Sequence, residues 1–158
     1  MLKRETARQR ENIDGLLQQT LGLALIDAKL RGVKTSVVVA PDLKQVLVDR
    51  NQIGQVIINI VRNALEAMLD SDERVLAISV ADDPHSDAIE MRISDTGPGL
   101  SPLVAERLFQ PFVTTKDKGM GLGLSICRDI VDSHGGTLSV EPNKPKGAIF
   151  VIRLPIAR

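Results

Sequence analysis

The sequence predicts an α/β (α+β) two-layer sandwich, in which a mixed β-sheet is covered on one face by helices. Helical and strand periodicities follow one another along the 158 residues without a regular βαβ repeat, which argues against a doubly wound parallel sheet. One helical stretch keeps a continuous apolar stripe, as expected of a helix that packs on a sheet. Because only Phe109, Phe112 and Phe150 are aromatic, the core between the layers must be aliphatic.

The N-terminal part of the chain predicts a polar tail, one helix and two short strands. Residues 1–12 are nearly all charged or polar and are interpreted as a polar tail or as the end of an upstream helix, so that the folded domain spans 13–158. An apolar rhythm predicts a helix over Ile13–Leu30. Segments rich in valine predict strands at Val37–Val39 and Val46–Val48.

The strongest helical pattern begins after Asp49. Aspartate is a favoured N-cap residue, and Gln52, three residues later, completes a predicted capping box. An apolar stripe then continues for several turns, which indicates a helix buried along one face. Its members are Ile53, Val56, Ile57, Ile60, Val61, Ala64, Leu65 and Met68.

The second half of the chain predicts a β-hairpin, two helices and two final strands. These elements are, in order, strands at Val75–Val80 and Ile89–Ser94 joined by the polar turn Asp82–Asp87, a short helix near Ser101–Leu108, a helix that runs from the glycine-rich loop Lys116–Gly123 to His134, and strands at Thr137–Val140 and Ala148–Leu154.

The composition excludes several classes of function. Lysine plus arginine (20) equals aspartate plus glutamate (20), so net charge favours neither a nucleic-acid nor a membrane partner. Three aromatic residues leave little for base stacking, and the single cysteine, Cys127, excludes an internal disulfide or a cysteine-based zinc site. No apolar run reaches the about 18 residues needed to span a bilayer. We therefore expect a cytoplasmic domain, monomeric in isolation, that contacts neither nucleic acid nor a membrane.

Two asparagines mark the long helix as a candidate metal site. Asn59, Asn63 and Glu66 lie four and seven residues apart, so they share one flank away from the apolar stripe. Asparagine is a poor helix former, and its amide oxygen can ligate Mg²⁺, which prefers oxygen donors. The alternative interpretation is a solvated polar face.

A second motif follows the strand that ends at Ser94. The alternation of that strand places Asp95, the first residue of Asp-Thr-Gly-Pro-Gly (95–99), on the inward side. A buried carboxylate needs a donor, and an adenine amino group is one, with Gly97 and Gly99 allowing the backbone to approach the ring. The alternative is an ordinary Asp-Gly turn cap.

Two further motifs predict a phosphate-binding loop. Phe-Gln-Pro-Phe-Val-Thr-Thr-Lys (109–116) is either the hinge of a lid that presents Lys116 to phosphate or an apolar plug at the base of a loop. Gly-Met-Gly-Leu-Gly (119–123) runs into a helix, where backbone N–H groups and the positive end of the helix favour an anion. A lone glycine-rich turn is a weak signal, and neither the Rossmann fingerprint nor the lysine-terminated P-loop is present.

Taken in this order and at these spacings, the four motifs resemble the boxes of the ATPase domain of sensor histidine kinases. This is the Bergerat nucleotide-binding fold, shared more distantly with gyrase and mismatch-repair ATPases. Asn-Ile-Val-Arg-Asn-Ala-Leu-Glu-Ala-Met (59–68) and Ser-His-Gly-Gly (133–136) also belong to the resemblance, which covers about residues 13–155. It is strongest to the oxygen- and nitrogen-sensing kinases of the FixL and NtrB type.

The resemblance implies a site for ATP and Mg²⁺. The ATP-binding residues it implies are Asn59, Asn63, Asp95, Gly97, Gly99, Phe112, Thr115, Lys116, Gly119, Gly121, Leu122 and Gly123. Asn63 is the implied metal ligand, Asp95 the partner of the adenine amine, and Phe109 part of the base of the lid. Many relatives carry a threonine that touches adenine through water where this chain has Ile149, so that position is left out of the site.

The resemblance also implies a reaction, and the departures from it restrict that reaction. Related ATPases carry a general-base glutamate where this chain has Asn59, an amide that cannot take a proton from water, so we do not expect a self-contained ATPase. Neither His85 nor His134 has the acidic neighbour of a phosphorylated histidine. No catalytic residue is therefore assigned, and the isolated chain is expected to be inactive in autophosphorylation.

The function implied by the resemblance is that of a protein histidine kinase in two-component signal transduction. The chain would transfer the γ-phosphoryl group of ATP to a histidine on a separate dimerisation domain. The receiver domain of a response regulator would be the further partner. Residues 1–12 would then be the remnant of the dimerisation helix. The alternatives are a serine kinase of the anti-sigma-factor type with the same fold and a nucleotide-binding module that transfers nothing.

Overall fold

The computed structural model describes residues 7–110 and 123–158. The helices and strands in these ranges are β1 (Gln9–Glu11), α1 (Ile13–Leu30), β2 (Lys34–Val39), β3 (Val46–Val48), α2 (Arg50–Ala67), β4 (Val75–Asp82), β5 (Ala88–Ser94), α3 (Pro102–Arg107), α4 (Gly123–Ser133), β6 (Thr137–Pro142) and β7 (Ala148–Pro155).

The main sheet has five strands in the order β2-β4-β5-β7-β6. Strand β2 runs parallel to β4, and the other neighbouring pairs are antiparallel. The predicted mixed sheet is therefore confirmed. Strand β2 begins at Lys34, three residues before the predicted start, because its ladder with β4 already begins at the pair Lys34↔Val75.

One face of the sheet carries the core. On β5 the buried side chains alternate as Ile89, Met91 and Ile93, and Ile93 lies between Ile78 of β4 and Phe150 of β7. The same apolar cluster includes the buried faces of α1, α2 and α4, so helices and sheet form the two predicted layers.

The other face of the sheet carries charged side chains. Arg92 of β5 bonds Glu141 of β6 at 2.6 Å, and Arg153 of β7 bonds Glu90 of β5 at 2.9 Å. The hydrogen bond to Glu141 is the main reason why the pKa of Arg92 is raised above its ordinary value. These ion pairs are partly solvated, so we assign them a small share of the stability.

Helix α1 has the predicted bounds and is apolar on both sides. Leu16, Leu17 and Leu21 are buried, whereas Leu23 and Leu30 are 82% and 81% exposed. Within 7–110 and 123–158, no helix combines the length and the apolar character required to cross a bilayer.

Helix α2 begins with half of the predicted capping box. The carboxylate of Asp49 accepts hydrogen bonds from the backbone N–H groups of Asn51 and Gln52, and every member of the predicted apolar stripe is buried. The reciprocal bond from Gln52 to the N–H of Asp49 is not formed, because that N–H donates to Nε2 of His134 at 3.1 Å. In the part of the chain that the structure describes, the buried Oε1 of Gln52 has no hydrogen-bond partner.

The leading segment, Ala7–Glu11, differs from the expectation of a polar tail or a helix end. Gln9–Glu11 forms strand β1, which pairs antiparallel with β3. The backbone edge of β3 supplies the hydrogen bonds that make this segment a strand. A polar segment without alternating apolar residues gives no local sign of such pairing. In addition, the N–H of Ala7 donates to Oδ2 of Asp49, and the guanidinium of Arg8 donates to the carbonyl of Ser133.

Candidate functional site

One flank of α2 forms the floor of the candidate site. Asn59, Asn63 and Ala67 follow each other one turn apart, and all three are half-buried beside the fully buried stripe. At 1.5 Å per residue, the flank from Asn59 to Ala67 extends about 12 Å. The predicted separation of the asparagines from the core face is confirmed.

Helix α4 runs antiparallel to α2 along this flank. Nδ2 of Asn59 lies 3.7 Å from Sγ of Cys127, and the N–H of Asp49 bonds His134. Asp49 precedes Asn59 along α2, whereas His134 follows Cys127 along α4, so the helices point in opposite directions. Asn63 lies one turn after Asn59 along α2, and Gly123, the first residue of α4, lies one turn before Cys127, so both lie on the same side of the contact between Asn59 and Cys127.

This side of the helix pair combines two features that suit a phosphate bound with a metal ion. The N-terminal N–H groups of a helix favour an anion, and the amide of Asn63 offers an oxygen ligand to a hard cation. Among the described residues, no group of three or more His, Cys, Asp or Glu side chains is placed to hold a metal ion. Mg²⁺ commonly combines one or two protein ligands with phosphate oxygens and water, and the amide of Asn63 could supply one such ligand.

Asp95 lies beyond the other end of the flank. It is 3% exposed, as the alternation of β5 predicts. Its Oδ1 accepts hydrogen bonds from the N–H groups of Gly97 at 2.9 Å and Ala148 at 3.3 Å. The first bond is the turn cap of the alternative interpretation, and the second ties the carboxylate to β7. Asp95 thus caps its own turn and is also directed into the protein.

The loop Asp95–Gly99 packs backbone against backbone on its neighbours. A Cβ on residue 97 would lie 2.8 Å from the carbonyl oxygen of Ala67, so Gly97 places the loop against the C-terminal turn of α2. Gly99 has a φ of 79°, a conformation that other residues rarely adopt. The loop therefore closes the flank of α2 at the end opposite to Cys127.

Thr96 anchors this loop, a role that the sequence analysis missed. Its hydroxyl donates to the carbonyl of Glu73 and accepts from the N–H of Val75, both at 2.9 Å. These bonds hold the loop at the start of β4. The only sequence signal is a residue with a hydroxyl between Asp95 and Gly97.

Phe109 is the described part of the predicted lid base. Its ring meets Phe150 edge to face with centroids 6.3 Å apart, and the guanidinium of Arg128 lies 5.1 Å from its centroid. The ring thus joins the segment after α3 to α4 and β7, as a plug would. The predicted site residues Phe112, Thr115, Lys116, Gly119, Gly121 and Leu122 lie outside the described residues.

Cys127 is buried on α4, and His134 is buried directly after its last residue. Burial raises the pKa of the Cys127 thiol, and the hydrogen bond from Asn59 opposes that shift. Cys127 is therefore a packing residue. Because Nε2 of His134 accepts from Asp49 and Nδ1 lies 2.8 Å from the carbonyl of Ile130, the ring bridges α2 and α4 and donates through Nδ1.

Comparison with known proteins gives a consistent set of similarities. The family described as histidine kinase-, DNA gyrase B-, and HSP90-like ATPase matches residues 48–158. The chain is 42% identical to the sensor protein FixL of Bradyrhizobium diazoefficiens, over 97% of this chain and 30% of that protein. It is 33% identical to the sensor histidine kinase ZraS of Salmonella typhimurium, over 94% of this chain and 31% of that protein. The chain thus spans under a third of the length of these two relatives.

Solved structures show the same fold. The nucleotide-free catalytic domain of histidine kinase ThkA superposes with a TM-score of 0.84 at 31% identity, covering 94% of this chain and 95% of that domain. The complex of ThkA with the response regulator protein TrrA matches with a TM-score of 0.80 at 28% identity, covering 95% of this chain and 42% of that one.

Proposed function

The chain belongs to the family of histidine kinase-, DNA gyrase B- and HSP90-like ATPases and is a catalytic ATP-binding domain of the sensor histidine kinase type, and from this premise we propose the reaction that it performs. In this proposal the domain binds ATP with Mg²⁺ and passes the γ-phosphoryl group to a histidine on a dimerisation domain. The observation that carries the proposal is the antiparallel pairing of α2 and α4, in which Asn63 and the N-terminus of α4 lie on the same side of the contact between Asn59 and Cys127.

The two ends of the α2 flank determine the orientation in which we propose that the nucleotide binds. The base lies at the end formed by Asp95, Gly97 and Gly99, where the carboxylate accepts a hydrogen bond from the adenine amino group. The phosphates lie at the other end, against the first turn of α4 at Gly123, with Asn63 as a ligand of Mg²⁺. The flank from Asn59, near the phosphates, to Ala67, against which the loop of Gly97 packs, is about 12 Å long, which suits an extended nucleoside triphosphate.

The residues near the phosphate end support transfer more than hydrolysis. Asn59 is an amide that contacts Cys127, and an amide cannot remove a proton from water. Phosphoryl transfer depends mainly on positioning and charge stabilisation, so a kinase domain needs no such base. During transfer the bond between the γ-phosphorus and the bridging oxygen breaks, ADP leaves, and a nitrogen of the acceptor histidine binds the phosphorus.

The histidines of this chain are poorly suited to accept the phosphoryl group. His134 is 6% exposed, and both of its ring nitrogens are engaged in hydrogen bonds. His85 lies exposed in the turn between β4 and β5, where its backbone N–H bonds Asp83. We therefore propose that the acceptor lies on a separate dimerisation domain and that a response regulator is the next partner. We place both partners and this domain in the cytoplasm.

A transfer assay tests the proposal. The chain is incubated with γ-labelled ATP and Mg²⁺, with and without a histidine-containing dimerisation hairpin from a related kinase. Acid-labile label on the hairpin and none on this chain is expected. Label on this chain alone would show that one of its own histidines accepts phosphate, and rapid release of phosphate without the hairpin would identify an ATPase instead.

A further inference from the structure

The turn between β6 and β7 lies directly on Asp95. We call residues 143–147 the β6–β7 turn. Nδ2 of Asn143 donates to the backbone carbonyl of Asp95 at 2.7 Å, across 48 residues of sequence. The N–H of Asp95 donates to the carbonyl of Ala148 at 3.0 Å, and the N–H of Ala148 donates back to Oδ1 of Asp95. The carbonyl of Asp95 is thus held by the turn, and its N–H and carboxylate are held by Ala148, the first residue of β7.

Two observations show that the contact is closely fitted. Gly147 has a φ of 110°, and a Cβ there would lie 2.0 Å from the carbonyl oxygen of Asp95, so the two backbones touch. Oδ1 of Asn143 accepts the N–H of Lys144 at 2.9 Å, which leaves the NH₂ group of the amide directed at Asp95. The side chain therefore has one orientation, with its donor on the carbonyl of Asp95.

The carbonyl of Asp95 needs this donor because the strand ladder ends beside it. The last pair of β5 and β7 is Ser94↔Ile149, and the N–H of Asp95 still bonds Ala148. Past this point the chain turns away towards Gly97, and the side chain of Asn143 takes the place of a ladder donor. Without this donor the peptide plane between Asp95 and Thr96 has one restraint fewer, and the carboxylate on the Cα of Asp95 shifts when that plane rotates.

We propose that Asn143 is a positioning residue that determines base specificity by fixing the Asp95 peptide, and with it the carboxylate. This inference rests on the proposed binding of ATP, with Asp95 as the partner of the adenine amine. Hydrogen bonds weaken steeply when distance and angle depart from their optimum, so a displaced carboxylate loses its preference for an amine over a carbonyl. Asn143 itself touches neither the base nor the phosphates in this arrangement.

Two variants of Asn143 and one control separate positioning from stability. Asn143→Ala removes both side-chain bonds, whereas Asn143→Asp keeps the acceptor for Lys144 and puts an acceptor against the carbonyl of Asp95. Asn12→Ala is the matched control, because Asn12 is exposed at the start of α1 and makes no side-chain capping bond. For each protein, the dissociation constants of Mg·ADP and Mg·GDP are measured together with the unfolding midpoint.

We expect wild type and Asn12→Ala to prefer ADP, and both Asn143 variants to lose about three- to tenfold of that preference, the size of one hydrogen bond. Unchanged preference in Asn143→Asp, whatever its stability, would overturn the proposal and leave Asn143 a structural turn residue. Equal binding of ADP and GDP by wild type would overturn it as well. If wild type bound neither nucleotide, the proposed function itself would fail, which is a different result.

Discussion

The imidazole of His134 accepts a hydrogen bond from the backbone N–H of Asp49 and so fastens the C-terminal end of α4 to the N-terminus of α2. The other ring nitrogen donates to Ile130 one turn earlier in α4. Asp49 in turn caps α2 through its carboxylate. These bonds set the pairing of the two helices at one end, and the candidate site lies along the same pair.

Replacing His134 is expected to destabilise the fold. His134→Ala leaves the half-buried N–H of Asp49 without its acceptor, which costs about 1–3 kcal/mol of unfolding free energy. Denaturant unfolding measures this loss, with His85→Ala as the control because His85 is exposed in a turn. Equal stability of the two variants would show that water or another group replaces the ring without cost.

Asn63 is expected to carry the magnesium dependence of nucleotide binding. Asn63→Ala removes the proposed amide ligand, so adding Mg²⁺ should no longer tighten the binding of ADP, while the fold survives because the side chain lies off the apolar stripe. Titrations with Mg²⁺ and with a chelator measure the effect. Gln55→Ala, an amide on an exposed face of α2, should behave as wild type. A normal metal response in Asn63→Ala would remove Asn63 from the metal site.

Asp95 is expected to select adenine by charge. Asp95→Asn keeps an oxygen for the N–H groups of Gly97 and Ala148 but adds an amide donor, which suits the carbonyl of guanine. We expect the affinity for ADP to fall about ten- to a hundredfold, the range of about 1–3 kcal/mol for an unpaired polar group. The preference over GDP should shrink with it. Asp72→Asn, at an exposed position, is the control, and retained adenine preference in Asp95→Asn would contradict this role.

Arg74 is expected to stabilise the fold through the hydrogen-bonding geometry of its guanidinium as much as through its charge. Its guanidinium donates to the carbonyls of Ser71, Arg31 and Leu69 at 2.8–2.9 Å, and so joins the end of α1 to the segment after α2. The single ammonium group of lysine cannot reach all three carbonyls, so Arg74→Lys should lower the unfolding free energy by about 1–2 kcal/mol. Arg62→Lys, at an exposed position on α2, should lower the unfolding free energy far less in the same denaturation experiment. A similar loss in both variants would count against the role of the three hydrogen bonds.

The elements that the sequence predicts correctly are those with a strong local pattern. The stripe of α2 and the alternation of β5 are visible in the order of residues alone, because burial on one side repeats with the period of the helix or strand. β1 is different, since Gln9–Glu11 is polar and becomes a strand only by pairing with β3. Its backbone partners are distant in sequence and leave no local pattern.

The residues of the candidate site also differ in how clearly the sequence indicates them. Asn59, Asn63 and Asp95 stand out because each residue type is unusual at its position in a helix or at an inward strand end. Asn143 and Thr96 give no such signal, because each acts through a hydrogen bond to a backbone group more than 20 residues away. The bridge from His134 to Asp49 also replaces half of a capping box that the local sequence favours.

The attachment of the leading segment has a mechanical consequence. Ala7 bonds the cap of α2 and Arg8 bonds the carbonyl at the end of α4, where His134 already joins the two helices. A pull or twist delivered along the chain before Ala7 is therefore shared by both helices at one point. Such a load acts on the pair at the end formed by Asp49 and His134, two to three helical turns from Asn59 and the flank of the candidate site.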